Sequence, residues 1–371
     1  MTTLKSIRIA GYKSIQLAQV DLEPLTVLIG ANGSGKSNLL SFFRMLEEMV
    51  AGRLQSYVGA SGGAGRLMYY GGRVSPFLDA ELTLKTDAAE ITYSLRLRRA
   101  EPDALVFDGE SIERPVNGED NEVGLGSGHR ESRLAESAEG GNEAAAIVVE
   151  FLRQSRVFHF HDTSSTSRIR QRGYMHDNRS LGHDGGNLAA VLYKLRQMNG
   201  PAYRRIVETV RQVAPWFRDF DLTPMALDPE NILLNWREEQ RAADQAGMVF
   251  GPDQLSDGTL RTMALITLLL QPVADRPRLI LVDEPELGLH PFAISAVAGL
   301  FKAAACHGQV IVATQSTSFV DQCDPQDVVV VERDGWSSTF SRVYPDRLRE
   351  WLDEYPLGEL WTRNVLGGGP V

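Results

Sequence analysis

The chain has 371 residues and a formal net charge of −10 at pH 7. This length is enough for one large α/β domain with an insertion, or for two domains, and the acidic balance means that any contact with DNA or RNA requires a local basic patch. Cys306 and Cys323 have neither disulfide nor metal-ligand spacing, which predicts a reducing compartment. The N-terminus lacks the apolar core of a signal peptide, and the longest apolar run, at 263–270, is too short for a bilayer. We therefore expect a cytoplasmic protein without a membrane partner.

The first fifty residues predict a strand, a glycine-rich loop and a helix. Alternation in LKSIRIAGYKSI predicts a strand that turns at Gly11, and LEPLTVLIG is a short apolar run of the kind that forms a buried strand. KSNLLSFFRMLEEMV then carries apolar residues at helical spacing. The glycine-rich residues 52–76 predict a mobile surface segment.

The middle of the chain is less regular. Residues 77–99 alternate over two runs, which predicts an antiparallel pair of strands. Residues 108–145 are poor in large apolar side chains and rich in Gly, Ser and Glu, so we expect a disordered insertion there. Residues 185–217 predict two helices around NGP, and NILLNWREEQ resembles a strand.

From residue 255 onward, strands alternate with helices. A buried helix that ends near Leu270 is followed by the strand RLILVDEP, the helix AISAVAGLFKAAA and the strands QVIVATQS and DVVVVERDG. This alternation predicts a parallel sheet. No heptad pattern persists over several turns, so a long coiled-coil arm is not expected.

GANGSGKS, at 30–37, matches the pattern G-x-x-x-x-G-K-[ST] between a predicted strand and a predicted helix. Glycines let backbone N–H groups turn toward phosphate oxygens, and the helix N-terminus adds a favourable dipole. Lys36 would bridge the β- and γ-phosphates, and Ser37 would bind Mg²⁺. The flanking elements favour this interpretation over a chance glycine-rich turn. The candidate ATP-binding residues are Gly30, Ala31, Asn32, Gly33, Ser34, Gly35, Lys36, Ser37 and Asn38.

LVDEPELGLHP places two acids at the end of a predicted buried strand. Asp283 would hold the hydrated Mg²⁺, as a Walker B acid does, and Glu284 would deprotonate the attacking water. Taken alone, the pair could equally be a helix N-cap with a first-turn acid. The phosphate-binding loop makes the catalytic interpretation the better one. Glu286 fits a capping or loop acid better than a metal ligand.

Two further stretches carry candidate functional residues. In QLSDGTLR, a serine and a glycine at a helix start form a possible phosphate-binding surface, although a plain N-cap is the simpler interpretation.

In the stretch 159–183, His159 and His161 with Asp162 could bind a metal, but the spacing is weak evidence. The arginines there could contact DNA phosphates or acidic groups of a partner, or form a solvated loop. These arginines are Arg168, Arg170, Arg172 and Arg179.

Taken in order, GANGSGKS, LSDGT, LVDEPELGLHP and VIVATQS resemble the ABC-type ATPase heads of the RecF/SMC/OLD-like superfamily. The resemblance covers residues 1–50 and 250–335. It implies a two-lobed α/β P-loop NTPase head, with a parallel-sheet core, an antiparallel β subdomain and a helical lobe with insertions. Such heads dimerise head to tail around two ATP molecules with Mg²⁺. Ser256, Asp257 and Gly258 would then reach the nucleotide of the other subunit. Residues 287–290 would lie across the interface, and Lys13 would lie near the nucleotide.

The sequence departs from the pattern of these heads at two positions, and the resemblance also implies a division of the chain. Gln315 stands where many such heads have a histidine that contacts the γ-phosphate, which predicts slow hydrolysis because glutamine donates without carrying charge. A Q-loop glutamine is not identified, and residues 158–167 are the candidate for that communicating element. Too few residues follow VVVVERDG for a Toprim nuclease. The predicted parts are the N-terminal half of the head (1–107), the insertion (108–145), the helical lobe (146–250), the C-terminal half of the head (251–335) and an extension (336–371).

Two functions of different classes follow. The first is an ATPase that dimerises on ATP, or assembles further, and acts in DNA repair or anti-phage defence with a separate effector or nuclease. The second is a nucleotide-gated regulatory or scaffold protein with negligible turnover that holds an effector in check. A transporter's ATPase subunit is disfavoured by LSDGT and by the N-terminal strand.

Overall fold

A computed structural model describes residues 2–115, 121–238 and 248–369. The chain divides into two compact units. The first, here called the sheet unit, comprises Met1–Val157, Pro277–Asp283 and Gly308–Val371. The second, the helical unit, comprises Phe158–Arg276 and Glu284–His307. Within the described ranges, no helix is long and apolar enough to cross a membrane.

The strands and helices alternate irregularly along the chain. The strands are β1 (Thr3–Tyr12), β2 (Ile15–Asp21), β3 (Leu25–Ile29), β4 (Phe77–Lys85), β5 (Glu90–Ala100), β6 (Ala104–Glu113), β7 (Glu122–Gly126), β8 (Ser155–Phe158), β9 (Gly173–Tyr174), β10 (Phe217–Asp221), β11 (Asn231–Ile232), β12 (Asn235–Glu238), β13 (Val249–Phe250), β14 (Leu279–Asp283), β15 (Gln309–Thr314), β16 (Val328–Asp334) and β17 (Ser337–Arg342). The helices are α1 (Lys36–Val50), α2 (Leu54–Ala60), α3 (Ala64–Leu67), α4 (Leu134–Glu139), α5 (Glu143–Arg153), α6 (Leu188–Met198), α7 (Gly200–Val213), α8 (Asp257–Leu270), α9 (Pro291–Ala305), α10 (Thr317–Val320), α11 (Arg349–Leu352) and α12 (Leu357–Thr362).

The predicted parallel strands are present in a sheet of the order β17–β16–β3–β15–β14–β8, in which the edge strand β17 is antiparallel to β16. Strand β3 pairs in parallel with β15 and with β16, and β15 pairs in parallel with β14. Every residue of β3, β14 and β15 is buried. A strand covered on both faces requires such a continuous apolar run, which is why these strands were recognisable in the sequence.

The sheet unit also contains an antiparallel sheet in the order β2–β1–β4–β5–β6–β7. Burial alternates along β4 and β5, as expected for strands with one face toward the core and one toward solvent. The inward side chains join α1 and α5 in one hydrophobic core. The predicted pair at 77–99 is therefore the centre of a larger sheet.

Helices α6 to α9 pack on one another in the helical unit. Two small antiparallel sheets accompany them, β10–β12–β13 and β9–β11. Helix α8 is buried over most of its length, as the apolar run at 263–270 predicted. The segment predicted as one strand at 231–240 forms the two short strands β11 and β12 in its described part.

Three expectations from the sequence were wrong. The glycine-rich residues 52–76 contain α2 and α3, whose Leu54, Val58 and Leu67 are fully or almost fully buried. Residues 108–145 hold the end of β6, β7 and α4, and Leu134 is completely buried; the expected disorder at 116–120 lies outside the described residues. Residues 146–157 were assigned to the helical lobe, but α5 buries Val148 and Phe151 in the core of the sheet unit.

A buried polar network explains how residues 108–145 fold with so few apolar side chains. The Glu110 carboxylate accepts hydrogen bonds from the hydroxyls of Tyr93 (2.7 Å) and Ser132 (2.5 Å) and from the backbone N–H of Arg133 (3.0 Å). It also lies 2.8 Å from Nε2 of His129. Burial and the neighbouring Glu110 charge raise the pKa of Tyr93 well above its ordinary value. Composition does not reveal such a network, because polar side chains that bond to one another inside a protein count the same in composition as solvated ones.

Candidate functional site

Neighbouring parallel strands of the sheet unit carry the phosphate-binding loop and one predicted acid to the same edge. Strand register places Asp283 beside Ala313, and Ala313 beside Leu28. Gly30 follows β3 directly, and the exposed Gln315 follows β15 directly. The carboxyl ends of parallel strands are where α/β proteins bind ligands. This edge is therefore the candidate nucleotide site.

The loop at 30–35 has the backbone conformation that its glycines allow. Gly35 is the N-cap of α1 with φ 116°, a value that side chains disfavour. A Cβ on Gly30 would lie 2.2 Å from the carbonyl oxygen of Val331, so β16 leaves no room for a side chain there. The buried ammonium group of Lys36 donates to the carbonyl oxygens of Gly30 (2.6 Å) and Ala31 (3.1 Å). Positive charge is thus held inside the loop, at the N-terminus of a helix.

The turn between β1 and β2 is hydrogen-bonded to α1. Lys13 has φ 45°, and its ammonium group donates to Oγ of Ser41 at 2.8 Å. Asn38 donates from Nδ2 to Oγ of Ser14 at 2.7 Å, and the hydroxyls of Ser14 and Ser338 are 2.7 Å apart. Burial lowers the pKa of Lys13. Lys13 and Asn38, which the sequence predicts to lie near the nucleotide, are therefore both part of the contact between this turn and α1.

The two predicted acids of LVDEP differ in their surroundings. Asp283 is the last residue of β14 and is 8% exposed. Glu284 follows it with φ 43°, which is uncommon for a residue other than glycine and is often found at functional sites. Its carbonyl oxygen accepts from the N–H of Leu287 at 3.2 Å, closing a turn. His290 is the N-cap of α9 and accepts from the N–H of Phe292.

Ser256 is the N-cap of α8, as the simpler interpretation of QLSDGTLR expected. Its Oγ accepts from the N–H of Thr259 at 3.2 Å. Ser256 and Asp257 are nevertheless exposed, so this helix start also presents a polar surface to solvent. A Cβ on Gly258 would lie 2.0 Å from the carbonyl oxygen of Gly288. The LSDGT and ELGLH segments therefore touch backbone to backbone within the helical unit.

Arg170 does not belong with the candidate DNA contacts. It is 7% exposed, and its guanidinium donates to the carbonyl oxygens of Thr163, Pro252 and Leu255 and to the Asp257 carboxylate. The sequence could not separate it from its neighbours, because three arginines alternate at 168–172. Arg168, Arg172 and Arg179 are exposed. Arg168 lies 3.3 Å from Asp184 and Arg172 lies 3.9 Å from Asp228, as ion pairs at the surface.

The candidate metal ligands at 159–162 do not converge. The rings of His159 and His161 have centroids 6.1 Å apart, and the Asp162 carboxylate accepts from the N–H and the hydroxyl of Ser164. In the parts of the chain that the structure describes, no group of three or more His, Cys, Asp or Glu side chains is placed to hold a metal ion.

The sequence analysis missed Arg261, which lies one turn into α8. Its guanidinium donates to the carbonyl oxygens of Phe160 (3.0 Å), His161 (2.7 Å) and Leu287 (3.0 Å). It therefore joins the candidate communicating segment at 158–167 to the loop after Glu284. Its position in LSDGTLR is the one signal in the sequence, because hydrogen bonds to carbonyl oxygens about 100 residues earlier cannot be read from spacing.

Comparison with known proteins identifies a family and a fold. A family profile described as "AAA domain, putative AbiEii toxin, Type IV TA system" matches residues 25–321. No curated protein matches the chain at a significant level. Among solved structures, an SMC head bound to the C-winged helix domain of ScpA has 15% identity and a TM-score of 0.62, with 94% of this chain and 99% of that chain covered.

A second solved structure is similar over the same extent. It is the Smc head domain with an extended coiled coil bound to the C-terminal domain of ScpA, derived from Pyrococcus furiosus, with 15% identity, a TM-score of 0.58, and 95% of this chain and 99% of that chain covered. At this identity the two structures bear on the fold alone, and the fold is the predicted one. Since the family profile spans most of the chain, the protein belongs to this AAA-domain family and has the fold of an SMC-like ABC-type ATPase head.

Proposed function

We propose that the protein binds ATP with Mg²⁺, hydrolyses it slowly, and dimerises head to tail on ATP. The observation that carries this proposal is the strand register that brings the loop after β3, Asp283 and Gln315 to one edge of the parallel sheet. A loop that accepts phosphates beside a buried carboxylate is the arrangement that phosphoryl transfer requires, because catalysis there consists mainly of positioning and charge stabilisation.

Each residue at this edge has a chemical role in the proposal. Lys36 and the N–H groups at the start of α1 bind the β- and γ-phosphates. Ser37 and Asp283 supply the hard oxygen ligands that Mg²⁺ prefers, and the ion would neutralise phosphate charge. Glu284, next along the chain, accepts the proton of the attacking water. Gln315 donates to the γ-phosphate without adding charge, which fits slow turnover.

The helical unit would complete the site of a second subunit. Ser256, Asp257 and Gly258 lie at the exposed N-terminus of α8, which suits an incoming γ-phosphate. Leu287 and Phe292 are 40% and 60% exposed, so both side chains are available to a second subunit. The dimer, or a higher oligomer built from it, would open again after hydrolysis.

The biological role that we infer is work with a separate effector or nuclease in DNA repair or anti-phage defence. The SMC heads with this fold bind domains of ScpA, which supports a protein partner for such a surface. Arg168, Arg172 and Arg179 are exposed and are the remaining candidates for contact with DNA or with a partner's acids.

A second candidate is a nucleotide-gated regulator with negligible turnover. Gln315 favours it, and so does a family description that names a toxin of a type IV toxin–antitoxin system. Turnover measured with and without DNA separates the two candidates. Stimulation by DNA supports the ATPase, whereas tight retention of ATP with almost no turnover supports the regulator.

The decisive experiment for the dimerising ATPase uses Glu284→Gln. The amide cannot accept the proton from water, so the variant should accumulate as an ATP-bound dimer with MgATP, measured by light scattering and by retained nucleotide. Glu286→Gln is the matched control, and it should turn over ATP as the unmodified protein does. A Glu284→Gln protein that stays monomeric with bound MgATP would sink the dimerisation mechanism.

A further inference from the structure

Two large aromatic side chains are exposed side by side in the sheet unit. The rings of Tyr70 and Trp336 are 5.3 Å apart at 72°, in an edge-to-face contact. Trp336 is 69% exposed and Tyr70 is 37% exposed. Tyr69, which is buried, supports Tyr70 from behind with a second edge-to-face contact at 4.6 Å. A supported aromatic surface that faces solvent is suited to a flat apolar ligand.

Trp336 is held close to the start of α1. It lies at the tip between β16 and β17, two residues before Ser338, which is ~7 Å along an extended chain. The N–H of Ser338 donates to the carbonyl oxygen of Ser14 at 2.8 Å. A Cβ on Gly35 would lie 2.1 Å from Oγ of Ser338. The start of β17, directly after the tip, therefore packs against the residue that caps the helix of the phosphate-binding loop.

Tyr70 is held close to Lys13. The N–H of Lys13 donates to the carbonyl oxygen of Leu67 at 2.8 Å, and Tyr12 forms an isolated bridge with Met68. Tyr70 has φ 47° and ψ 40°, a left-handed conformation that is costly for an aromatic residue and persists only where neighbouring structure imposes it. The ring is thus fixed on the side of α1 where the β1–β2 turn lies.

We propose that Tyr70 and Trp336 form the base subsite of the nucleotide site, with the purine base of ATP stacked on Trp336. This inference rests on the proposed function. The loop at 30–37 fixes the phosphates at the N-terminus of α1, so the ribose and base must extend away from it. Trp336 is two residues from Ser338, which contacts both Gly35 and Ser14 at that terminus. Stacking of a base on an aromatic ring contributes to affinity and does not require hydrogen-bond readout.

The test compares a ligand with a base and a ligand without one. Calorimetric titration with MgATP and with magnesium tripolyphosphate separates the base from the phosphates. Trp336→Ala should weaken MgATP binding by about tenfold or more and leave tripolyphosphate binding unchanged. Trp336→Phe should retain most of the ATP affinity, and Tyr70→Ala should lose part of it. Trp351, an exposed tryptophan on α11, provides the matched control, because Trp351→Ala should bind both ligands normally.

The same titrations separate failure of the subsite from failure of the site. If Lys36→Ala loses both ligands while Trp336→Ala keeps full ATP affinity, the phosphates bind as proposed and the base subsite is wrong. If the unmodified protein binds neither ligand, the nucleotide site itself is wrong. Tryptophan fluorescence gives a readout without mutation of the subsite, since ATP should quench it and tripolyphosphate should not. If ATP and tripolyphosphate change the tryptophan fluorescence equally, the base does not stack on Trp336.

Discussion

The guanidinium of Arg170 lies 2.7 Å from the carboxylate of Asp257, the third residue of the LSDGT segment. The same guanidinium donates to the backbone carbonyls of Pro252 and Leu255. It also donates to the carbonyl oxygen of Thr163, which lies in the segment at 158–167. One charged group therefore fixes the loop before α8 and the segment that the sequence pointed to as a communicating element. Its donation to Asp257 holds the pKa of that carboxyl below its ordinary value.

Arg170→Ala should therefore act on the shape of the LSDGT loop and not on nucleic-acid binding. The substitution leaves buried carbonyl oxygens without a donor, and each such group costs about 1–3 kcal/mol. We expect a fall in unfolding free energy of that order, measured by urea denaturation, together with weaker ATP-dependent dimerisation of the Glu284→Gln protein.

Arg172→Ala is the control for Arg170→Ala. Its side chain is 66% exposed and lies 3.9 Å from Asp228, so removing it should change stability by less than about 1 kcal/mol. If Arg172→Ala impairs dimerisation as much as Arg170→Ala does, surface charge and not loop geometry is responsible.

A second prediction concerns the backbone contact between the LSDGT and ELGLH segments. Gly258→Ala would put a methyl group 2.0 Å from the carbonyl oxygen of Gly288, so one of the two segments must move. We expect loss of ATP-dependent dimerisation with MgATP binding by each monomer retained, because Gly258 lies outside the phosphate-binding loop. Gly251→Ala is matched in position and chemistry, and nothing lies within 4 Å of its added Cβ. Normal dimerisation of Gly258→Ala would show that the two segments can separate freely.

The fold could be predicted because its central strands are apolar on both faces. The family and the fold predicted from four motifs are confirmed. The roles of Lys36, Asp283 and Glu284 stay predictions, although the register of β3, β15 and β14 brings the loop that leads into Lys36 and the strand that ends at Asp283 to one edge. Motifs of this kind are readable because they encode local backbone conformation and chemistry together.

The remaining features depend on contacts between residues that are distant in the chain. Glu110 accepts hydrogen bonds from buried groups 17 to 23 residues away. Composition cannot show such contacts, so it predicted disorder in a segment that is ordered. Arg170 reaches Asp257 across 87 residues, and no pattern at 168–172 distinguishes it from Arg168. Trp336 acquires its proposed role only because Ser338 bonds to Ser14, 324 residues earlier.

A third prediction concerns the pH dependence of nucleotide binding. Burial lowers the pKa of Lys13 from its ordinary value of 10.5. The charged ammonium form attracts phosphate, so affinity for MgATP should be full below the lowered pKa and should fall as the pH rises through it. Lys13→Arg stays charged and should remove that part of the decline. Lys5→Arg is the control, because Lys5 pairs with Glu90 at the surface. If dissociation constants measured from pH 7 to about pH 10 rise identically in Lys13→Arg and in the unmodified protein, Lys13 lies away from the phosphates.

The last prediction concerns the residue at the end of β15. Gln315 follows the strand that separates the loop strand β3 from the Asp283 strand β14, and its amide is a neutral donor. If it donates to the γ-phosphate in the transition state, Gln315→Ala should lower turnover by about 10²-fold, as loss of a single preorganised donor does, with little change in the dissociation constant for ATP. Gln315→His restores a donor that can carry charge and should raise turnover above that of the unmodified protein. Single-turnover phosphate release measures both effects. Equal rates in Gln315→Ala and the unmodified protein would mean that this residue does not contact the transferred phosphate, and Gln315 would then not set the proposed rate of hydrolysis.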